Sequence, residues 1–495
     1  MMKNKTLKRA LLSAFVALFG AGGAMAQTPS FNPLEMETQL NAMADSLTAN
    51  LKPWTVPNRS FDIRKYGAKA DGKRVNTRAI QRAIDACFKA GGGNVVVSGG
   101  DYVTGTLVLK SGVMLHIDKG ARLLGSTSLK DYPDHVEQLH SVCRDVHRYR
   151  ISLIYAERAD RVGISGEGEI YFRGSRDNFP GPETVSEIEG RPFGIRMIEC
   201  KNVVVSGVHL RDAAAWMQCY LVCENLIFDG MRVTNQVNYN NDGCDLDGCR
   251  NVIVRHCQIN SHDDALCLKT ASGRANENFL VEDNIFYTHC NAFKFGTDSQ
   301  GAYRRIVGRR LTLGGTPVGK PSWKDIHECS TGVTLATTDG GNVSDILLYD
   351  LTISRARAPF YLGVGNRGRR WQSVMEHPGL LHRVYIHDVL GMDNRRQGSF
   401  INGTEGYRVS DVLMREVHLT QIGGGTQAMA EAPVEEKPGG YPDAQEWSRK
   451  GLPSYGFYVR HAQRIVFDKV DVRPKAKDER PMMRIAEDCE NISIK

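Results

Sequence analysis

A β-solenoid of stacked parallel strands, closed at its N-terminal end by a helix, is the fold that the 495-residue sequence predicts. Three observations carry it. A Val/Ile-rich phrase opened by Asn or another polar residue recurs, its leading apolar residue falling at Val203, Leu226, Val252, Phe279, Ile306, Ile346, Val384, Val412, Ile465 and Ile492. The commonest spacings, 26 to 28 residues, lie among the periods of repeat architectures. The strands are short, Asn, Gly and Asp mark their corners, and almost no helical periodicity follows Val97, so the repeat is β. One coil per repeat stacks strands about 4.8 Å apart and aligns equivalent residues in ladders.

Residues 1–26 read as a secretory signal peptide. Lys3, Lys5, Lys8 and Arg9 open it, Ala10 to Phe19 form its apolar stretch, and Ala24-Met25-Ala26 is a small-x-small cleavage site. Residues 27–59 form an N-terminal extension, with a short helical pattern (Leu34, Met36, Leu40, Met43, Leu47, Leu51) and then Pro-rich punctuation. Residues 60–495 read as one solenoid domain. Near its start Ala79, Ile80, Ala83, Ile84 and Cys87 share a helix face, with Asn76 as N-cap and Gly91-Gly92-Gly93 as the stop. That helix, residues 76–90, would cover an edge otherwise open to pairing with other chains. The 40- and 38-residue intervals read as one coil plus a loop, and the 53-residue interval as two coils. Residues 423–450, with Pro433, Pro438, Gly439, Gly440 and Pro442, interrupt the repeat and are expected to shape a groove or cap an end.

The leader's four positive charges, taken from a formal +7, leave +3, so nucleic acid is not expected as a partner. No apolar run beyond the leader reaches the ~18 residues of a membrane span. The protein is expected to be exported, to a periplasm or the extracellular space. All 12 Cys lie beyond the leader. Most are expected as buried thiols, with Cys219 and Cys223 as the pair open to oxidation. The oligomeric state stays open.

The chemistry concentrates in NYNNDGCDLDGCRNVIVRHCQINSHDDALCLKT, residues 238–270. Asp242, Asp245 and Asp247 lie on one coil, Asp263 and Asp264 on the next. Asp242 and Asp263 are 21 residues apart, slightly less than one repeat, and should share a face. Carboxylates this close repel, so at least one should hold its proton to higher pH, as a general acid requires. Corner turns and calcium sites also use such residues. The adjacent pair Asp263-Asp264 is harder to explain as turn chemistry.

Asn240-Asn241-Asp242-Gly243, followed one coil later by His262-Asp263-Asp264, resembles the Asn-x-Asp-Gly and Asp-Asp motifs of glycoside hydrolase family 28, the polygalacturonase family of inverting pectin hydrolases. FDIRKYGAKADGKRVNTRAIQRAIDAC, GTLVLKSGVMLHIDKGARLLGS and Trp216 ahead of CENLIFDGMRV resemble it too. The similarity covers about residues 60–300, and the last third only as β-solenoid. It implies an all-β, right-handed, single-stranded parallel β-helix. It implies Asp263 as general acid to the glycosidic oxygen, Asp242 and Asp264 as the pair that positions and deprotonates water, and neither metal nor cofactor. Inversion asks for acid and base roughly 6.5–9.5 Å apart.

The departures are specific. The family's Gly-His-Gly is absent. Aligning NAFKFGTDSQG by its Phe-Gly-Thr end places Asn291 at that His, with His289 two residues earlier as the candidate substitute and Lys294 as an added cation for a substrate carboxylate or ring oxygen. The family's Arg-x-Lys, which grips a galacturonate, is replaced in TGVTLATTDGG by Thr334 and Ala336. Arg304 and Arg305, or Arg367, Arg369 and Arg370, are the candidate replacement cations, with Tyr361 and Trp371 to stack on sugar. The candidate substrate-binding residues are therefore Asn240, His262, Lys269, His289, Asn291, Lys294, Tyr361 and Arg367. The expected function is hydrolysis, with inversion, of α-glycosidic bonds in an acidic plant-cell-wall glycan (galacturonan or rhamnogalacturonan). Exo action is expected because loops near 421–450 would block one end of the groove. A calcium-dependent β-helix lyase with Lys294 or Lys269 as base, and a non-catalytic glycan-binding solenoid, are the alternatives.

Overall fold

The computed structural model describes residues 31–134, 151–181, 190–367, 378–447 and 450–495. The signal-peptide segment, Cys143, Arg369, Arg370 and Trp371 lie outside the described residues. Pairing between the named strands is parallel throughout, in sheets of 21 and 12 strands among the described residues. Neighbouring strands come from successive coils, and the twist of a strand makes such crossovers right-handed. The fold is the right-handed parallel β-helix that the repeat pattern and the family resemblance imply.

The ten residues of the repeated phrase form one unbroken ladder. Val203 pairs with Leu226, and the register runs through Val252, Phe279, Ile306, Ile346, Val384, Val412 and Ile465 to Ile492. The first nine are sealed from solvent, each worth about 1.5–3 kcal/mol of burial. The polar residue before each has its own task. Asn202, Asn225, Asn251 and Asn278 all sit at φ of 54–61°, a left-handed corner that Asn tolerates. Their amides bond along the stack: Asn225 donates to Asn202 (3.1 Å), Asn251 to Asn225 (3.0 Å) and Asn278 to Asn251 (2.8 Å).

One interval differs from expectation. Val412 pairs directly with Ile465, so the 53-residue interval is one coil carrying an insertion, not two coils. The inserted segment, residues 422–456, holds a short helix, a 3-10 turn and Pro/Gly-rich connections in place of coil strands. The 40- and 38-residue intervals are one coil plus a loop, as expected.

Helix α1 (Pro33–Asn50) buries Met36, Leu40 and Ala44 against the larger sheet. Leu51, Trp54 and Val56 carry the extension on across Met114, Val204 and Ile227. Helix α2 (Thr77–Lys89) packs Ala79, Ile80, Ala83, Ile84 and Cys87 into the end of the core. Among the described residues no helix is long and apolar enough to cross a membrane. All eleven described cysteines are free, and all but Cys489 are buried. Cys219 and Cys223 are not a surface pair. Cys223 points into the core, whereas Cys219 packs against Phe193 and Ala215 in a separate cluster.

Candidate active site

The site lies where three successive coils turn into strands of the smaller sheet. Cys244 pairs with Leu266, and Leu266 with Phe293. Two residues earlier on each coil, that register stacks Asp242, Asp264 and Asn291. Backbone bonds hold the stack, from Gly243 N to Asp264 O (2.8 Å) and from Ala265 N to Asn291 O (2.9 Å). Gly243 allows it, because a Cβ there would meet Ile259 Cγ2 at 2.3 Å and Ala265 O at 2.5 Å. Asn241 staples the turn. It accepts from Val237 N and Asn238 N and donates to Ala213 O and Ala215 O. Half-buried Asn240 stands at the rim, its Oδ1 accepting from Arg191 (2.8 Å).

The carboxylates are not equivalent. Burial, then Asp245 and Asp263, pushes Asp242 well above the usual carboxylate range. Its Oδ1 is buried without a hydrogen-bond partner. Burial and the neighbouring Asp264 raise Asp263, which stays partly open to solvent. Burial pushes Asp264 upward too, but Lys294, Lys269 and Asn291 outweigh it and hold Asp264 below its ordinary value. Lys294 Nζ lies 3.0 Å from Asp264 Oδ2, both side chains being sealed from solvent. Asn291 Nδ2 donates to Asp264 Oδ1 at 2.7 Å. A carboxyl raised above its ordinary value thus sits beside one held below it, the direction of split that acid–base chemistry needs. Burial also lifts Asp245 to about 7 and Asp247 to about 6. Asp263, Asp264 and the Cys290 thiol have oxygen and sulfur atoms within 4.8 Å of one another. Burial keeps that thiol protonated, so the set offers two carboxylates and a poor donor, unlike the oxygen cage of calcium.

Several sequence candidates stand elsewhere or are already engaged. His289 bonds Ser322 (3.0 Å) and stacks edge-on to His262, so Asn291, not His289, makes the contact to Asp264. Lys294 is spent on Asp264 and on the Tyr441 hydroxyl (2.9 Å), not held out for substrate. Lys269 is buried beside Asp245 (3.5 Å) and over the Trp216 ring (4.8 Å). Arg367 is locked on Asp339 and Asp298 at 8% exposure. Arg304 and Arg305 lie on the larger sheet, both paired with Glu277. Tyr361 is no open platform. It packs against Phe400 and Trp447 under the insertion and lines a cavity of about 240 Å³ there. His262 does belong to the site, half-buried among the rings of Tyr239, His289 and Trp323.

The structure adds two residues that sequence reasoning missed. The insertion folds back over the smaller sheet and brings Tyr441 onto Lys294 and Asp443 onto Asn291. Asp443 Oδ2 accepts from Asn291 Nδ2 (3.0 Å), its Oδ1 caps the following turn at Gln445 N (2.7 Å), and burial raises it. Thr334 Oγ1 donates to Asn291 Oδ1 (2.8 Å), so both ends of that amide are fixed. The Pro/Gly-rich composition marked the insertion as groove-forming, but nothing in it marked Asp443, 152 residues from Asn291 in sequence.

The model of "Glycosyl hydrolases family 28" matches residues 87–290, a stretch that includes Asp242, Asp263 and Asp264 and stops before Asn291. An exo-poly-alpha-D-galacturonosidase of Dickeya chrysanthemi is 47% identical over 90 residues, 18% of this chain and 14% of that protein's length. A probable polygalacturonase of Vitis vinifera is 28% identical over 385 residues, 73% of this chain and 74% of the relative. In fold, the crystal structure of a hyperthermoactive exopolygalacturonase from Thermotoga maritima superposes with a TM-score of 0.68 at 17% identity. It covers 88% of this chain and 96% of that one.

Proposed function

The chain is a divergent member of glycosyl hydrolases family 28, and so a glycoside hydrolase; from that premise we propose that it hydrolyses α-glycosidic bonds in pectin-type oligosaccharides, from chain ends and with inversion. The observation that carries the reading is the split between Asp263, raised and partly open, and Asp264, sealed and held ionised by Lys294 and Asn291. Asp263 protonates the glycosidic oxygen. Asp264 and Asp242 hold the attacking water, and Asp264, kept ionised by its cation, takes the proton. Oxygens of Asp263 and Asp264 come within 4.8 Å, closer than the carboxyl separation usual for inverting pairs, so the water is assigned to the gap toward Asp242. The insertion over the smaller sheet supports exo action, because it brings Tyr441 and Asp443 onto Lys294 and Asn291 beside the carboxylates. Export, with residues 1–26 as leader, 27–59 as extension and 60–495 as catalytic domain, completes the proposal. A lyase would need a free base, and Lys269 and Lys294 are both ion-paired.

The test is mass spectrometry and proton NMR of products from galacturonan and rhamnogalacturonan oligosaccharides, with wild type beside Asp263→Asn. Expected are monomers or dimers carrying one added water, released first as the β-anomer and absent with Asp263→Asn. Unsaturated products would turn the assignment to a lyase, and α-anomers to a retaining mechanism. Wild-type turnover in Asp263→Asn would remove Asp263 from the acid role.

A further inference from the structure

We propose that Tyr239, Trp323, Arg176 and Lys324 form a subsite that holds an acidic sugar unit beside the catalytic acid. The proposal rests on the hydrolase reading above and names the anchor for its charged substrate. Residues 316–328, the loop of a 40-residue interval, are fastened to the active-site corner at three points. Trp323 N donates to Gln236 Oε1 (2.8 Å), Asn260 Nδ2 donates to Pro321 O (2.8 Å), and the His289 ring bonds Ser322 Oγ (3.0 Å). The fastened loop sets the Trp323 ring 5.6 Å from that of Tyr239 and 5.1 Å from that of His262. His262 immediately precedes Asp263, and Tyr239 lies three residues before Asp242. All three rings are half-buried and keep some surface open to solvent.

Two cations stand at these rings. The Arg176 guanidinium lies 4.5 Å from the Tyr239 ring centre, and the Lys324 ammonium 5.5 Å from Tyr239 and 5.6 Å from Trp323. Both residues are exposed, and among the described residues neither takes part in an ion pair. The acid next to Lys324, Asp325, is bonded to His327 (2.8 Å). Lys269, Lys294 and Arg367, by contrast, are buried on carboxylates. The histidines add no charge, since burial takes His262 down to about 4 and His289 to about 3. An aromatic ring positions a cation without neutralising it. A carboxylate brought there gains charge-assisted hydrogen bonds, and the rings cover the apolar C–H surface of a pyranose. A chain without the Arg-x-Lys pair thus carries its carboxylate anchor on two loops, Lys324 at 316–328 and Arg176 after the strand that ends at Tyr171, rather than on one coil.

The test compares galacturonate oligosaccharides with the same oligomers methyl-esterified, by steady-state kinetics and by calorimetric binding to the full chain. Arg176→Gln/Lys324→Gln is expected to raise KM and Kd for acidic oligomers tenfold or more, to leave kcat within twofold, and to leave binding of the esters unchanged. Salt should weaken wild-type binding of acidic oligomers and have little effect on the double variant. Arg176→Lys/Lys324→Arg, which keeps both charges, should keep wild-type values. Trp323→Ala should weaken acidic and esterified oligomers alike. If wild type cleaves acidic oligomers and the Gln double variant does so with unchanged KM, or loses only kcat, the subsite is overturned and the hydrolase reading stands. If wild type neither cleaves nor binds any acidic oligomer, both fall.

Discussion

Lys294→Met tests the electrostatic core of the site. The substitution keeps an unbranched apolar side chain and deletes a charge that sits 3.0 Å from Asp264, with side-chain exposures of 0% and 3%. Removing one partner of a buried pair costs about 3–5 kcal/mol, because the other charge is left without compensation. Asn291 and Lys269 still act on Asp264, so the lower end of that range, about 3 kcal/mol, is expected. Lys294→Met/Asp264→Asn removes both charges and should cost less than the two single losses together, by about 1–3 kcal/mol of coupling. The sign with pH follows from the direction of the shift. Asp264 is depressed in the folded protein, so its stabilisation is present above the unfolded carboxylate value of about 3.9 and is lost as pH falls through its folded value. In Lys294→Met that carboxyl is raised instead. The gap between variant and wild type should therefore be widest near pH 7 and narrow on acidification. The assay is chemical denaturation of all four proteins at several pH values, alongside pH profiles of kcat/KM. The acid limb of the profile should move to higher pH in Lys294→Met, because the base gains its proton sooner. Additive losses, a pH-independent gap or an unmoved acid limb would each refute the assignment of Lys294 as the cation that keeps Asp264 ionised.

Two further outcomes follow from the same geometry. Asp443→Ala deletes a buried acceptor of the Asn291 amide and leaves that donor short of a partner, at about 1–3 kcal/mol. It should lower kcat roughly 10- to 100-fold with little change in KM, and a raised KM with kcat unchanged would make Asp443 a substrate contact instead. Among the eleven described cysteines, mass-mapped iodoacetamide labelling of the native protein should reach Cys489 first and leave the ten buried thiols unmodified until the chain unfolds. Early labelling of Cys219 or Cys223 would contradict the packing described here.

What the sequence made legible was what repeats. The ladder from Val203 to Ile492 could be read because each coil must bury the same inward residue and turn the same left-handed corner. The carboxylates were legible in part for the same reason: counting set them on consecutive coils but placed Asp263 opposite Asp242, where the register places Asp264. Side-chain direction at a corner does not follow from counting. Strand alternation suggested that His289 returns to the face of Asp264, yet His289 still belongs to the turn and Asn291 is the residue in register. The cations failed as candidates for a related reason. A sequence shows that Lys294 and Arg367 are charged, but not that Asp264 and Asp339 wait within bonding distance to claim them.

The two insertions account for the rest, and they show how a solenoid acquires a pocket. A stacked coil presents a nearly flat wall, on which three corner residues can hold a proton and a water but cannot surround a sugar. Enclosure has to come from segments that leave the repeat. Here the loop at 316–328 leaves one coil beyond the catalytic corner and is pinned back onto Gln236, Asn260 and His289. The segment at 422–456 leaves four coils beyond that corner and is pinned back through Asn291, Lys294 and Thr331. Both meet the coil that carries Asn291. The Asn291 amide can donate to Asp264 only if it is oriented. The orientation comes from Thr334 on the next coil and from Asp443 on the insertion. Asn291 and the insertion that supplies Asp443 are therefore one device, and neither half is expected to work without the other.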